Sequence, residues 1–329
     1  MKCRKINLEA GNIFLPKSST INNYVTLKGV KMVRRIVLIL LAGSCLSVPV
    51  FSAEEEWCPP SAGPVTTWTA PVCSKGDFVT QPIMFFLNTR GTYDNSGNYS
   101  SLPGDDKSNS NQFVIFMQYG LTDRLELDGQ AVYQKNFVRQ SGVEADSAGL
   151  GDSYIFARYC LKEETSNLPQ MTLVGQLKVP TGKFETLNPE VLGTDARGSG
   201  SYDPGLGIIL TKRTKPFIIH ADASVSQPLK VDVDTVPTKY GTYLNGDVGI
   251  ECFIFQGLNL LFEANGFYQG KTDLTGTKID DSNSEYLMLT PGIGWSNDQV
   301  QALLAYQRIV SGKNTDATAA LVLTLVYTF

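Results

Sequence analysis

The residues most able to do chemistry lie in one short segment that holds the only histidine of the chain, His220-Ala-Asp-Ala-Ser-Val-Ser226. In a β-strand, alternate side chains share a face, so this segment would align His220, Asp222 and two serines in one row. Hydrolases use such groups as base, orienting acid and nucleophile. Neighbours in the row would be about 6–7 Å apart, which exceeds hydrogen-bond reach. A hydrolase would need a serine from another strand, and we predict no catalytic residue.

The cysteines give a second possible chemistry. Cys58, Cys73, Cys160 and Cys252 form no CxxC pair and have no histidine nearby, so we predict no metal site and no cofactor. Cys58 and Cys73 lie in a Pro-rich stretch, and in an oxidising compartment they could form a disulfide. Cys160 and Cys252 fall inside predicted strands, where we expect unpaired thiols.

The N-terminal region carries the signs of an exported protein. Residues 36–50 are apolar, follow Arg34 and Arg35, and lead into small residues that suit cleavage after Ser52 or Ala53. The stretch is shorter than the roughly 20 residues that a membrane helix needs. We therefore predict a cleaved signal peptide. The predicted organisation is a non-native upstream extension at 1–31, a signal peptide at 32–53, a Pro-rich periplasmic lead-in at 54–76 and a folded domain at 77–329.

Charge and composition narrow the class of protein. Only 18% of the residues are charged, and glycine occurs 30 times. Without residues 1–52 the chain holds 20 basic and 31 acidic residues, a net charge of −11. Nucleic-acid binding needs clustered Lys and Arg, so we predict no nucleic-acid partner.

A repeating unit begins near Phe78: about ten residues that alternate apolar and polar side chains, followed by a turn. Such a pattern is typical of membrane-spanning β-strands. It predicts an all-β fold, a transmembrane antiparallel up-and-down β-barrel of about 12 strands. The predicted strands span residues 77–89, 111–120, 124–136, 151–161, 170–180, 204–213, 216–227, 242–255, 258–269, 284–295, 299–309 and 317–329.

The connections between these strands alternate in length, as they do in bacterial outer-membrane barrels. The longer set, predicted as outer loops, comprises residues 90–110, 137–150, 181–203, 228–241, 270–283 and 310–316. A soluble β-sandwich would also show alternating strands, but it does not require this alternation of loops or an even strand count.

The period of two also assigns side chains to lipid or to the lumen, because successive side chains point to opposite faces. The last strand ends on Tyr327 and Phe329, an ending that resembles the signal read by the outer-membrane assembly machinery. Lys or Arg facing lipid at mid-depth would cost about 2–4 kcal/mol, so charged residues are assigned to the lumen. As solute-binding candidates there we predict Glu126, Asp128, Arg158, Lys178, His220, Asp222, Asp247, Glu251 and Glu263.

Four segments resemble a known family, the barrels described as the meta-pathway of phenol degradation. They are Tyr119-Gly-Leu-Thr-Asp-Arg-Leu-Glu-Leu127, Gly149-Leu-Gly-Asp152, Leu177-Lys-Val-Pro-Thr-Gly182 and Asp203-Pro-Gly-Leu-Gly207. The first segment is the most specific, whereas Gly-Leu-Gly-Asp and Pro-Thr-Gly alone are turn chemistry that many barrels use, and the order and spacing of the segments carry the resemblance. The resemblance implies an outer-membrane transporter of small aromatic or apolar compounds, and it assigns no binding residues.

The predicted number of strands indicates a barrel with a narrow pore. Eight strands give an interior filled by side chains and sixteen leave an aqueous channel, so twelve lie between these cases. We expect an outer-membrane channel whose partners are outer-membrane lipid, the assembly machinery and a small-molecule solute.

Two alternatives stay open: a structural or surface-contact barrel acting through its outer loops, and a hydrolase using His220. Whether residues 54–75 plug the pore also stays open. Aromatic side chains expected in the lumen are Tyr154, Phe156, Tyr243, Phe253 and Phe267.

Overall fold

A computed structural model describes residues 57–59, 61, 63–255, 257–297 and 299–328. The predicted upstream extension, the signal peptide and Phe329 lie outside the described residues. Within these ranges, no helix has the length and the hydropathy that a membrane crossing would require.

The described chain is almost entirely β-structure, with one short 3₁₀ turn at Pro189–Val191. The strands are Phe78–Tyr93 (β1), Tyr99–Ser101 (β2), Lys107–Gly120 (β3), Leu125–Gln140 (β4), Val143–Leu150 (β5), Ser153–Lys162 (β6), Gln170–Val179 (β7), Asp203–Thr214 (β8), Phe217–Ser226 (β9), Val231–Val233 (β10), Val236–Lys239 (β11), Tyr243–Phe255 (β12), Leu258–Gln269 (β13), Asp273–Leu274 (β14), Thr277–Lys278 (β15), Ser284–Ser296 (β16), Val300–Lys313 (β17) and Thr315–Thr328 (β18).

Twelve of these strands close into a barrel. The order is β1-β3-β4-β6-β7-β8-β9-β12-β13-β16-β17-β18, every neighbouring pair is antiparallel, and β18 returns to pair with β1. The prediction of a twelve-stranded antiparallel barrel is confirmed. The remaining strands belong to the connections at one end, where β2 extends the sheet beside β1 and β5 beside β4.

The two ends of the barrel differ. We call them the turn end, where short connections such as 215–216 lie, and the loop end, where the long ones lie. At the loop end, β10, β11, β14 and β15 form a small sheet that joins two neighbouring connections through the pair Thr238 and Leu274.

Two predicted loops are wrong because the strands continue through them. Residues 137–150 form the hairpin of β4 and β5, which turns at Ser141 and Gly142, both with positive φ, as tight hairpin turns require. Residues 310–316 contain a tight turn at Asn314, whose φ of 47° is a left-handed conformation that asparagine tolerates. The Asn314 amide also donates to two carbonyl groups, those of Asp281 and Asn283.

The outer surface of the barrel is apolar. On β18, Leu323 is 40% exposed, whereas its neighbour Val322 is 1% exposed and points inward. The predicted alternation is confirmed here, because Leu321, Leu325 and Tyr327 share the outward row.

The interior is filled by the chain's own N-terminal segment. Residues 57–76, which we call the plug, were predicted as a periplasmic lead-in, yet from Gly63 to Cys73 they are buried inside the barrel. Trp68 is 3% exposed and Thr67 is fully buried. The reason is chemical, because the lumen carboxylates and the plug's backbone N–H groups satisfy one another.

Candidate functional site

The plug enters and leaves the barrel at the turn end, on opposite sides. Its first described residue, Trp57, packs edge-on against Phe253 near the end of β12, with ring centroids 5.6 Å apart. Its last, Gly76, donates its N–H to the Gly120 carbonyl at the end of β3, at 2.8 Å. In the closed sheet these two strands are six places apart, so the plug crosses the whole lumen.

Glu263 of β13 holds the middle of the plug. Its two carboxylate oxygens accept the backbone N–H groups of Val65 at 2.7 Å, Thr66 at 2.9 Å and Thr67 at 2.8 Å, and also the Thr67 hydroxyl at 3.0 Å. Three successive N–H groups converging on one buried carboxylate satisfy both a charge and three donors that would otherwise be costly to bury.

The next plug residues are bound by neighbouring strands. Asp222 of β9 accepts the Trp68 N–H at 2.8 Å, and Thr211 of β8 accepts the Ala70 N–H at 2.8 Å. Thr172 of β7 donates its hydroxyl to the Ala70 carbonyl. Because these contacts are made to the plug backbone, they fix the path of the segment and do not depend on its side chains.

A buried ion pair fixes the exit of the plug. Arg158 of β6 and Glu126 of β4 are both fully buried and bonded to each other. Arg158 donates to the carbonyls of Thr69 and Pro71, and Glu126 accepts the Cys73 N–H. The guanidinium also lies over the indole ring of Trp68, 5.6 Å from its centroid, within the range of a cation–π contact.

His220 belongs to this plug-binding network. Its Nδ1 lies 3.0 Å from the Thr211 hydroxyl and its Nε2 lies 3.0 Å from Glu251, which also accepts the Ser61 hydroxyl of the plug at 2.6 Å. The three side chains resemble a nucleophile, base and acid in line. However, the Thr211 oxygen already accepts the Ala70 N–H of the plug, and His220 is 2% exposed, so with the plug in place the three side chains are closed to solvent.

The predicted disulfide between Cys58 and Cys73 is wrong. Cys73 has a free, buried thiol among the described cysteines. The physical reason is the course of the plug: Cys73 bonds to Glu126 on β4, whereas Cys58 follows Trp57, which packs against β12 on the far side of the barrel.

The three other predicted lumen residues are Lys178, Asp128 and Asp247. Lys178 lies near the loop end, where its Nζ is 2.6 Å from Asp203 and 3.7 Å from Asp152. Asp128 and Asp247 line the wall and are 4% and 2% exposed. Within the described ranges, no three His, Cys, Asp or Glu side chains are grouped so that they could hold a metal ion.

The connection of residues 180–202 folds over the loop end. Asn136, inside the barrel, donates to the Thr194 carbonyl of this connection at 2.8 Å. Asp195 accepts from the Lys183 ammonium at 2.6 Å and from the Asn188 N–H at 3.0 Å. Burial acts to raise the pKa of Asp195, but these donors outweigh it and hold the pKa below the ordinary 3.8.

Above the plug, toward the loop end, one part of the lumen wall is aromatic. The rings of Phe267 and Tyr286 are stacked with centroids 5.0 Å apart, and Tyr243 lies 6.1 Å from Phe267. Beside Tyr286 lies a partly enclosed pocket. Its lining is Thr66, Phe85, Leu87, Tyr286, Met288, Gln307, Ile309, Thr318, Ala319 and Ala320.

The structure therefore places all nine predicted lumen residues inside the barrel and brings six of them into the network around the plug. The sequence pattern missed the hydroxyl partners Thr172 and Thr211 and the pocket residue Gln307. Their inward position follows from strand alternation, but their role depends on the plug, whose course no periodicity reveals.

Comparisons with known proteins agree with this architecture. The sequence profile of the family described as "Putative MetA-pathway of phenol degradation" matches residues 113–325. The fold is similar to that of an outer membrane channel from Pseudomonas putida F1, with a TM-score of 0.66, 18% identity, and coverage of 79% of this chain and 98% of that chain.

Two other barrels are less similar. The beta domain of the Bordetella autotransporter BrkA has a TM-score of 0.45 and 10% identity, covering 78% of this chain and 100% of that chain. A monoaromatic hydrocarbon channel, CymD, has a TM-score of 0.39 and 9% identity, covering 78% of this chain and 89% of that chain. A search of curated proteins gives no match.

Proposed function

We propose that this chain, which belongs to the family described as putative MetA-pathway of phenol degradation, is an outer-membrane channel for small aromatic or apolar solutes. The apolar outer face of the barrel needs lipid around it, and the predicted signal peptide at 32–53 would export the chain. The loop end would then face the cell exterior, and the turn end the periplasm. The predicted assembly signal at Tyr327 and Phe329 fits the same destination.

The observation that carries the proposal is how the lumen is filled. A structural barrel can be packed by its wall side chains, but here the centre is occupied by a separate segment that no barrel strand pairs with. Its central residues are held by hydrogen bonds to wall side chains such as Glu263 and Asp222. The plug can therefore leave without breaking a single strand pairing, and its departure would open a path between the two ends.

This proposal gives the lumen carboxylates a different role from the predicted one. Glu126, Asp222, Glu251 and Glu263 hold the plug rather than bind solute directly. The solute contacts fall instead to the aromatic wall above the plug. We also propose that the chain is not an enzyme, since the only histidine is enclosed between Thr211 and Glu251.

Conductance measurements test the proposal. Refolded protein in planar bilayers is expected to show small, infrequent openings, and a variant lacking residues 57–72 is expected to show large, steady ones. A shift in electrophoretic mobility on heating verifies that both barrels are folded. Uptake of phenol into liposomes is measured in parallel. If folded barrels of both kinds are silent and exclude phenol, the channel function is wrong.

One observation favours a second function. The small sheet of β10, β11, β14 and β15 gives the loop end an ordered surface that a simple channel does not need. This suits a surface-contact barrel. Silent bilayers with both forms would support this reading.

A further inference from the structure

The pocket beside Tyr286 lies directly above the plug and shares a residue with it. Thr66 of the plug forms part of the pocket lining, and its hydroxyl accepts a hydrogen bond from the Gln307 amide of β17 at 2.6 Å. The backbone N–H of Thr66 is held by Glu263. Any molecule in the pocket therefore touches the segment that closes the lumen.

We infer that this pocket is a binding subsite for a small, uncharged molecule with one aromatic ring and one hydroxyl group, and that its hydroxyl competes with Thr66 for Gln307. The inference rests on the proposed function and deepens it, because it gives solute binding a location in the lumen and couples the solute to the plug.

The absence of charge in the lining determines the charge of the solute. Among the described residues that form the pocket, none is ionisable at neutral pH. Glu263, which holds the Thr66 N–H, is saturated by plug donors, and Lys178 is paired with Asp203. A carboxylate or an ammonium group would lose its water here without gaining a partner, which is costly.

The shape and surface of the lining favour a ring. Phe85, Leu87 and Ile309 present buried apolar surface, and Tyr286 already stacks against Phe267. Aromatic rings pack with centroids about 4.5–7 Å apart, so a further ring can continue this series beside Tyr286. On β18, the small side chain of Ala320 lies beside Gln307 in the same lining and fills little of the pocket.

The polar atoms in the pocket lining are few and uncharged, which indicates the substituent that a bound ring would carry. Gln307 and Thr318 offer an amide and a hydroxyl at the edge of an otherwise apolar surface. A phenolic hydroxyl both donates and accepts, so it can pair with the Gln307 amide in place of Thr66. Thr66 would then lose one of its two anchors, and the plug would be held less tightly when solute is bound.

Equilibrium dialysis with the detergent-solubilised full barrel tests the subsite independently of transport, using phenol, toluene and benzoate as probes. Phenol is expected to bind most tightly and benzoate least. Ala320→Leu, which fills the pocket, is expected to weaken phenol binding by at least about tenfold, as expected when a side chain occupies a ligand's place. Ala157→Leu, the same change on the exposed outer face, is the matched control and should bind as the wild type does.

The Gln307→Leu variant distinguishes the contribution of the solute's hydroxyl group to binding from that of its ring. It should reduce phenol binding about three- to tenfold, the range of one lost hydrogen bond, and leave toluene binding unchanged. Unchanged phenol binding in Ala320→Leu would overturn the subsite while leaving a conducting channel intact. Phenol binding by a barrel that neither conducts nor takes up phenol would overturn the channel function but not the subsite.

Discussion

Single carboxylates hold the plug in this barrel, because each of them accepts hydrogen bonds from backbone N–H groups of the plug. Glu263 accepts three plug N–H groups and one hydroxyl, and Asp222 accepts a fourth N–H. Hydrogen bonds to charged groups contribute about 1.5–3 kcal/mol each, so a few side chains suffice to hold the plug. A change of one atom in such a side chain should therefore alter the closed state more than it alters the barrel.

Glu263→Gln tests this directly. An amide presents one acceptor oxygen and two donor hydrogens, so it cannot satisfy the N–H groups of Val65, Thr66 and Thr67 together. We expect more frequent openings in planar bilayers with unchanged barrel folding. Glu144→Gln, on the exposed hairpin of β4 and β5, is the control. A variant that opens no more often than the wild type would show that Glu263 does not hold the plug.

His220→Ala distinguishes a structural histidine from a catalytic one. Removing the ring leaves Thr211 and Glu251 without their bridging partner, so conductance should rise modestly through a loosened plug. Purified protein should hydrolyse neither phospholipid nor short acyl esters, before or after the change. Ester hydrolysis by the wild type that disappears in His220→Ala would reverse our view of the chain as a non-enzymatic pore.

Asp195 predicts how the loop end responds to pH. Its pKa is lowered in the folded protein, so its contacts with Lys183 and Asn188 add stability above the ordinary value of 3.8 and are lost as pH falls through the folded pKa. The Asn188 amide should keep a constant hydrogen-exchange protection factor above pH 3.8 and lose protection below it. The Asp195→Asn variant should lack that protection at every pH. The control variant Asp105→Asn should keep the protection of the wild type. A wild-type loss of protection near neutral pH would contradict the role of Asp195.

At the scale of strands, the sequence carried most of the information. Alternation predicted the position of every barrel strand, because an outward residue such as Leu323 faces lipid and an inward one such as Thr324 faces the lumen. Strand ends at the loop end were harder to predict. Beyond the lipid both faces of a hairpin are wet, and no residue of Val143–Leu150 is buried, so the sequence there shows no continuous apolar row and predicts a loop.

The outward rows of the strands should be sensitive to charge in a way that depends on depth. Leu323→Arg, in the middle of β18, should lower the free energy of unfolding by about 2–4 kcal/mol in lipid vesicles. Leu161→Arg, at the turn end of β6, should cost only about 0–1 kcal/mol. Guanidinium titration measures both. Two small and equal effects would be the behaviour of a soluble surface and would speak against a membrane-spanning barrel.

At the scale of the whole molecule, the plug was the part that the sequence did not predict. Trp57 to Gly76 has no strand or helix period, because its central donors are satisfied by acceptor side chains distributed over β4, β8, β9, β12 and β13 rather than by a neighbouring strand. The charged lumen row was predicted from alternation. Its purpose was not, since a carboxylate that binds solute and one that binds the chain's own backbone have the same pattern.

The proposed opening requires the plug to move, and a reversible cross-link can forbid that movement. A Cβ atom built at Gly249 of β12 would lie 3.2 Å from the Cβ of Pro64 in the plug. Disulfides join Cβ atoms roughly 3.5–4.5 Å apart, so a small adjustment should allow a bond in Pro64→Cys/Gly249→Cys. Under oxidising conditions this double variant should conduct less than the wild type, and reduction with dithiothreitol should restore its openings.

The single variants Pro64→Cys and Gly249→Cys are the controls, since each keeps the native cysteines but lacks one half of the bridge. Both should respond to dithiothreitol as the wild type does. Mass spectrometry of the oxidised double variant must show the bridge before its conductance is interpreted. If the bridged barrel conducts and takes up phenol at the wild-type rate, solutes pass beside a stationary plug, because a segment tied to β12 at Gly249 cannot leave the lumen.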